Sequence, residues 1–160
     1  MLDYDLVTST ARYRLPTQDD IPAFVRLVKR FYAERSQAHR VTAESVTRTY
    51  LELLRHPERG SIFLFERGES LVGYCLLLVS WSNEHGGDIV TIDEIYIAPD
   101  HRGGGIARDF LGLLSQVAPR GTRAIRIRAP SKDRNAARFC TKTGFTPSGD
   151  GIMIKELKGS

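Results

Sequence analysis

Three consecutive glycines, at residues 103–105, separate a β-rich run from a helical pattern. Glycine lets the backbone approach a ligand closely and adopt positive φ angles, and the first amides of a helix have no partner within it. Such a turn can bind an anion, and Arg102 and Arg108 add positive charge on either side of it. The pattern indicates a phosphate site, although a tight turn that needs glycine only for steric reasons would have the same sequence.

Two familiar phosphate loops do not fit this segment. A P-loop ends in Gly-Lys followed by Ser or Thr, and that ending is absent here. The dinucleotide pattern Gly-x-Gly-x-x-Gly would require a third glycine at the position that Arg108 occupies. ATP and NAD are therefore disfavoured as ligands.

The elements that must position the loop follow from hydrophobic periodicity. We predict helices at residues 17–32, 42–55, 105–117 and 133–143, and strands at residues 11–15, 61–66, 71–81, 89–97, 124–129 and 152–157. The middle strands form an antiparallel meander, and a helical crossover makes the strand at 124–129 parallel to the strand at 89–97. The prediction is one α+β domain over residues 1–160, with a mixed, mostly antiparallel sheet and helices on both faces.

Composition and charge exclude several classes of protein. The 160 residues carry a net charge of +4, which is too small to argue for a nucleic-acid-coating protein. Residues 102–142 nevertheless hold 10 Lys or Arg against two acidic residues, so a basic block surrounds the glycines. The two cysteines and four histidines lack metal-ligand or disulfide spacing, and neither a membrane span nor a signal segment is evident. A cytoplasmic protein without a metal is expected.

The loop and its neighbours resemble the GCN5-related N-acetyltransferase (GNAT) superfamily, whose acetyl-CoA signature is Arg or Gln, two residues, Gly, one residue, then Gly or Ala. Arg102, Gly105 and Ala107 occupy those positions, and residues 133–145 match the second motif, a short helix followed by Gly-Phe. The resemblance implies a GNAT fold with a splayed central parallel strand pair. It also implies an acetyl-CoA-dependent N-acetyltransferase that acts directly on a primary amine. A non-catalytic acyl-CoA-binding or sensor module is the alternative.

The same resemblance implies which residues hold acetyl-CoA. Its pyrophosphate would bind backbone amides of the loop, and its pantetheine arm would lie along the strand before the loop, in the gap between the splayed strands. One N–H group of that strand would stabilise the tetrahedral oxyanion. The implied cofactor-binding residues are Ile95, Ile97, Arg102, Gly103, Gly104, Gly105, Ile106, Ala107, Arg108, Asp133 and Arg138.

An acetyl transfer to an amine needs a base, because an amine of pKa about 10.4 is mostly protonated at pH 7 and losing the proton costs roughly 4.6 kcal/mol. In family relatives the base often lies on the strand before the loop. By a period of two, the substrate-facing side of that strand holds Thr91, Asp93, Ile95 and Ile97. Asp93 is the preferred base, and Glu94 points to the other face unless a bulge shifts the register. The two acids favour a small cationic substrate, or they only solvate a strand edge or pair with a nearby arginine.

Cys140 stands where family relatives commonly have a tyrosine that protonates the departing thiolate. A thiol has a pKa of about 8.5, so leaving without a proton at pH 7 costs roughly 2 kcal/mol. Cys140 is therefore either a proton donor or a small buried apolar residue.

The acceptor should enter between the first two helices, the polar loop at 82–88 and the strand that carries Asp93. The side chains expected to shape that entrance are Phe31, Tyr32, Glu34, Trp81 and Glu84. Phe31 and Tyr32 have helical spacing that equally suits core residues. The expected partner is a small-molecule or peptide amine, with neither nucleic acid nor membrane. A homodimer is common among relatives, and the sequence leaves the oligomeric state open.

Overall fold

The computed structural model describes residues 5–128 and 133–148. The chain divides into two compact units, Met1–Arg128 and Ala129–Ser160, and each unit is described by itself. The prediction of one domain over residues 1–160 therefore stays a prediction. The predicted strand at 152–157 and Ala129, the last residue of the strand predicted at 124–129, lie outside the described residues.

The first unit is built on a mixed sheet of six strands in the described residues, in the order β1 to β6. The strands are β1 (Asp5–Val7), β2 (Arg12–Arg14), β3 (Gly60–Arg67), β4 (Ser70–Ser82), β5 (Gly87–Ile97) and β6 (Thr122–Ile127). Neighbouring strands are antiparallel except β5 and β6, which are parallel. The predicted α+β class and the parallel central pair are confirmed.

Helices cover both faces of the sheet in the first unit. They are α1 (Ile21–Glu34), α2 (Ala43–Arg55) and α3 (Ile106–Val117), while the second unit contains α4 (Arg134–Lys142). The apolar stripe of α1 and α2 packs on one sheet face, where Phe24 contacts the rings of Tyr50 and Tyr74. On the other face, Phe110 of α3 contacts the rings of Tyr13, Phe63 and Phe65. All four predicted helices are confirmed.

A hydrogen bond from β2 fixes the start of α3. The hydroxyl of Tyr13, which is fully buried, donates to the carbonyl of Ile106 at 2.8 Å. Thr10 donates to Asp109 in the same first turn at 2.8 Å. The glycine turn therefore leads into a helix whose position is set by the opposite end of the sheet.

One extra residue interrupts the pairing of β4 and β5. Leu76 lies opposite Glu94, whereas Leu77 lies opposite Ile92, so Asp93 is the inserted residue of a β-bulge. The bulge puts Thr91 and Ile95 on opposite faces of the sheet, so the prediction that they share one face is wrong. Glu94 lies opposite Leu76, on the face that carries α1 and α2, and this face is the one opposite Ile95, as predicted.

The described pairing of the two parallel strands ends just before the bulge. The last pair of β5 and β6 is Ile92 with Ile127, and the amide of Arg128 donates to the carbonyl of Ile92 at 3.2 Å. On its other side β5 stays paired with β4 as far as Ile97. Residues 129–132 lie outside the described residues, so the predicted splay stays a prediction, and among the described residues β5 has no strand partner on this edge beyond Ile92.

Candidate functional site

The glycine turn presents a row of backbone amides. Gly103 and Gly105 have φ angles of 80° and 90°, which favour glycine, and Gly105 is the N-cap of α3. Within residues 5–128 and 133–148, the six amides of residues 103–108 have no hydrogen-bond acceptor, and the first α3 bond to the turn is from Asp109 to Gly105. A helix start with this many unused N–H groups has the donors and the dipole orientation that an anion requires.

Arg102 does not point its side chain at this row of amides. Its Nη2 donates to Glu34 Oε2 at 2.6 Å and its Nε donates to the carbonyl of Ile97 at 2.8 Å. Its own amide donates to Pro99. Both the guanidinium and the backbone of Arg102 are thus engaged inside the protein, unlike the six amides that follow.

Arg108 remains close to the turn. Its side chain is 69% exposed, and its Nε and Nη2 both donate to Asp109 Oδ1 at 3.2 Å. A guanidinium in this loose arrangement keeps most of its donors free for a second anion. Of the two arginines that flank the glycines, Arg108 is the more available to an anion, because Arg102 is engaged by Glu34 and Ile97.

The open edge of β5 carries main-chain groups that face away from β4. The amide of Ala98 donates to Val72 of β4 at 2.8 Å, and facing residues of an antiparallel pair alternate in this respect. The main-chain groups of Ile95 and Ile97 therefore point away from β4, along the edge where the described pairing with β6 has ended. The carbonyl of Ile97 is already occupied by Arg102, while Ile95 has neither a backbone nor a side-chain partner on that edge in the described residues.

Glu94 lies in a buried cluster of hydroxyl groups. Tyr32 of α1 donates to its Oε1 at 2.6 Å, and Tyr74 of β4 donates to its Oε2 at 2.7 Å. Glu94 is 9% exposed. Burial raises the pKa of Glu94 above its ordinary value, although the two tyrosine hydroxyls act in the opposite direction. This side chain is a carboxylate that takes up a proton more readily than a surface glutamate does.

Asp93 has a different environment from its neighbour. Its carboxylate lies 3.4 Å from the guanidinium of Arg128, and the charge of Asp93 contributes to the raised pKa of Glu94. This ion pair is the alternative that the sequence left open for Asp93 beside its role as base. Of the two adjacent carboxylates, Asp93 is paired with an arginine, whereas Glu94 is buried and hydrogen-bonded to two tyrosines.

The predicted entrance residues separate into two sets. Phe31 and Tyr32 lie beside the Glu94 cluster, with their ring centroids 5.2 Å apart. Trp81 is 71% exposed and lies five residues along β4 from Leu76, the residue opposite Glu94, which is about 16 Å. Glu84 is exposed in the turn after β4. The structure thus brings Phe31 and Tyr32 to Glu94 but does not bring Trp81 or Glu84 there.

Glu34, the remaining entrance residue, accepts a hydrogen bond on each of its carboxylate oxygens. Its Oε1 accepts from the hydroxyl of Tyr96 at 2.6 Å, and its Oε2 accepts from Arg102. Burial would raise the pKa of Glu34, but these two donors outweigh it, so the pKa lies below its ordinary value.

The tyrosines Tyr74 and Tyr96 were absent from the predicted site. The signal was available in part, because a tyrosine within a buried strand requires a partner for its hydroxyl. What the sequence could not supply was which acid each hydroxyl reaches, Glu94 for Tyr74 and Glu34 for Tyr96.

The second unit holds three of the predicted residues. Asp133 is the N-cap of α4, and its Oδ1 accepts from the amides of Asn135 and Ala136 at 3.0 Å. Arg138 is exposed, whereas Cys140 is buried, and burial raises the pKa of its thiol. The roles predicted for these three residues stay predictions.

The described residues contain neither a candidate metal site nor a helix that could span a membrane. No group of three or more His, Cys, Asp or Glu residues in the described part of the chain could hold a metal ion. Among the helices of residues 5–128 and 133–148, none has the length and apolar character to span a bilayer.

The chain is similar to several known proteins. It is 26% identical over 144 residues to an uncharacterized N-acetyltransferase of Methanocaldococcus jannaschii, covering 89% of this chain and 63% of the relative, so the chain spans less than two thirds of that protein's length. An integron cassette protein from the mobile metagenome of Cole Harbour Salt Marsh is 28% identical, with a TM-score of 0.80 over 92% of this chain and 91% of that chain.

A more distant structure has the same fold. AAC(6')-Iy, solved in complex with the bisubstrate analogue CoA-S-monomethyl-acetylneamine, is 13% identical, with a TM-score of 0.79 over 94% of this chain and 100% of that chain. The family model described as the acetyltransferase (GNAT) family matches residues 22–145, from α1 through the glycine turn to the end of α4. This match covers most of the sequence, and the chain therefore belongs to the acetyltransferase (GNAT) family.

Proposed function

We propose that this protein transfers an acetyl group from acetyl-CoA directly to a small primary amine. The observation that carries the proposal is a juxtaposition at one end of β5: among the described residues, six amides lack an acceptor and the strand edge beyond Ile92 lacks a partner, and a buried carboxylate lies beside them. The first two features suit a long ligand with a diphosphate, and the third suits a group that accepts a proton from an amine.

The amides of residues 103–108 would hold the diphosphate, with Arg108 as the nearby free cation. The main-chain groups of Ile95 and the N–H of Ile97 would bind the extended arm that follows, in the way that an added strand binds a sheet edge. Acetyl-CoA supplies the activated acetyl group as a thioester.

Glu94 is the base in this proposal, instead of the Asp93 that the sequence favoured. The pKa of Glu94 is raised, which makes it a stronger base than an ordinary glutamate, while Arg128 neutralises Asp93. A carboxylate has about four lone-pair sites, so the bonds from Tyr32 and Tyr74 leave room for an amine proton, directly or through a water. The negative charge of the Glu94 carboxylate also attracts the ammonium form of the acceptor.

The acceptor enters as a cation, since a primary amine is protonated at neutral pH. Two of the carboxylates expected to attract it are paired, Glu34 with Arg102 and Asp93 with Arg128. The electrostatic attraction on the acceptor therefore comes mainly from Glu94. One ammonium group on the acceptor is enough to balance this single carboxylate. We accordingly propose a small amine with one reacting ammonium, and Phe31 and Tyr32 as the side chains that shape its place.

Protonation of the leaving thiolate is worth only about 2 kcal/mol at pH 7, so the chain needs no strong acid. Cys140 keeps its thiol proton, because burial raises its pKa. We include Cys140 as the proton donor in this proposal because of its position in the second motif.

Two measurements test the proposed function. Isothermal titration with acetyl-CoA should give binding, and absence of binding at millimolar ligand would remove the proposal. A thiol-release assay should then detect free CoA with at least one member of a panel of polyamines, amino acids, aminoglycosides and peptide N-termini. Binding without thiol release on any amine would instead indicate the sensor module.

A further inference from the structure

The last residue of α1 is bonded to the end of β5 and to the turn before the glycines. Glu34 accepts from the Tyr96 hydroxyl and from Arg102 Nη2, both at 2.6 Å, so each of its carboxylate oxygens has a donor. Arg102 and Glu34 are separated by 68 positions in the chain. The contact therefore joins the helix beside Glu94 to the segment that presents the free amides.

Arg102 is held from three directions at this point. Besides Glu34, its Nε donates to the carbonyl of Ile97 at 2.8 Å, and its guanidinium carbon lies 5.4 Å from the ring centroid of Tyr96. A planar guanidinium with fixed partners on two of its nitrogens has little rotational freedom left. The side chain thus bridges the final residue of β5 and the turn that follows it.

The bridge has a direct consequence for the open edge. The Ile97 carbonyl belongs to the edge of β5 that faces away from β4, and Arg102 uses that carbonyl. On this residue only the N–H remains for a ligand. The position of Arg102 therefore sets both the start of the glycine turn and the set of main-chain groups that an extended ligand can use.

We propose that Glu34 is a positioning residue for acetyl-CoA, which acts by holding Arg102 between Ile97 and the glycine turn. The inference rests on the proposed function, because it assigns a role in binding the same donor. It gives Glu34 a role on the donor side of the site, where the sequence had placed it among the residues that bind the acceptor. It also assigns the guanidinium of Arg102 to the protein and not to a phosphate.

The Glu34–Arg102 pair is suited to this role because it lies at the surface. The side chains are 37% and 47% exposed, and ion pairs of this kind add little to global stability. Glu34→Gln keeps the shape of the side chain and an acceptor for Tyr96, and it removes the charge that holds Arg102. The variant is therefore expected to fold, with a local effect on the turn.

A double-mutant cycle tests the role. Calorimetry should measure CoA binding to wild type, Glu34→Gln, Arg102→Gln and the double variant. Each single change should weaken binding by about tenfold, the loss typical of a hydrogen bond to a charged group, and the double variant should be no weaker than the weaker single variant. The kcat at saturating acetyl-CoA should stay within about twofold of wild type, so that the loss appears in KM.

Glu52→Gln is the matched control. Glu52 also lies near the end of a helix and pairs with an arginine, Arg59, at 2.7 Å. Its substitution should leave CoA binding unchanged. If Glu34→Gln does not fold, Glu34→Asp, which keeps the charge but shortens the side chain, replaces it in the same cycle.

Different failures have different readouts. Wild type that does not bind CoA overturns the proposed function together with this inference. Wild type that binds, with losses that add in the double variant, overturns only the inference, because the two residues then act independently. Tighter or unchanged binding in Glu34→Gln, with a large loss in Arg102→Gln, also overturns it and indicates direct contact between Arg102 and a phosphate.

Discussion

The hydroxyl of Tyr74 donates to Glu94 Oε2 at 2.7 Å from the neighbouring strand, although Tyr74 lies opposite Tyr96 and not opposite Glu94. Both residues lie in the regular pairing that runs from Gly73 opposite Ile97 to Leu76 opposite Glu94, so alternation puts Glu94 on the same face as Tyr74. The bulge at Asp93 comes directly after this stretch. Glu94 is thus a buried acid with two hydroxyl partners.

Glu94→Gln should lower turnover by about a hundredfold or more at pH 7, the loss typical of removing a general base. Acetyl-CoA binding should be unchanged, because Glu94 takes no part in holding the donor. Asp93→Asn is the control, since Arg128 neutralises Asp93, and it should lose less than about fivefold. Steady-state kinetics compare the turnover lost by the two variants. A larger loss in Asp93→Asn than in Glu94→Gln would show that Asp93 is the base.

Tyr74→Phe should move the acidic limb of the kcat/KM profile to higher pH. The Tyr74 hydroxyl lowers the pKa of Glu94, so its loss raises that pKa further. A base works only when deprotonated, and the variant should therefore lose more activity near pH 6 than near pH 8. An acidic limb that stays in place, or moves to lower pH, would contradict the role of Glu94.

Glu94 should also leave a signature in stability. Its pKa is raised on folding, so the folded state binds more protons than the unfolded state between the ordinary pKa and the raised one. Its ionisation therefore destabilises the fold as pH rises through this interval. Thermal unfolding of Glu94→Gln should show a stability gain over wild type that grows from pH 4 to pH 8. A difference that does not vary with pH would mean that the Glu94 pKa is not raised.

The glycine turn can be tested without backbone strain at Gly104. Its φ angle is not positive, and the nearest atom that an added Cβ would meet is 4.0 Å away. Gly104→Glu should nevertheless weaken CoA binding more than about a hundredfold, because it adds an anion beside the free amides. Gly104→Ala should change binding only slightly.

Gly112→Glu makes the same substitution in the middle of α3, where an added side chain meets no neighbour. It should bind CoA like wild type. Equal losses in Gly104→Glu and Gly112→Glu would mean that added negative charge on this helix acts without any local phosphate site.

The sequence predicted most elements of the fold because each one has its own periodic pattern. The apolar spacing of α1 and α3 and the glycine punctuation around α3 are local signals. Strand β1 has only three residues, Asp5–Val7, which is too few for a period to be recognised.

The candidate site depended on contacts that no local pattern contains. Residues 89–92 of β5 are all buried, so one inserted residue at Asp93 leaves no break in the alternation that could be read. The pairing of Glu34 with Arg102 joins positions far apart in the chain. For these reasons the sequence could place Glu94 on the face opposite Ile95 and Ile97, as the structure has it, but it could not show the bulge or the tyrosines that bind Glu94.

The most direct test of the central claim follows the amides of residues 103–108 by nitrogen-15 NMR while CoA or pantetheine is added to the intact protein. Pantetheine has the same arm but lacks the diphosphate. The account predicts that CoA shifts all six amide signals strongly, and that pantetheine shifts Ile95 and Ile97 but leaves the six nearly unchanged. Binding of CoA that perturbs other regions while these six signals stay in place would contradict it.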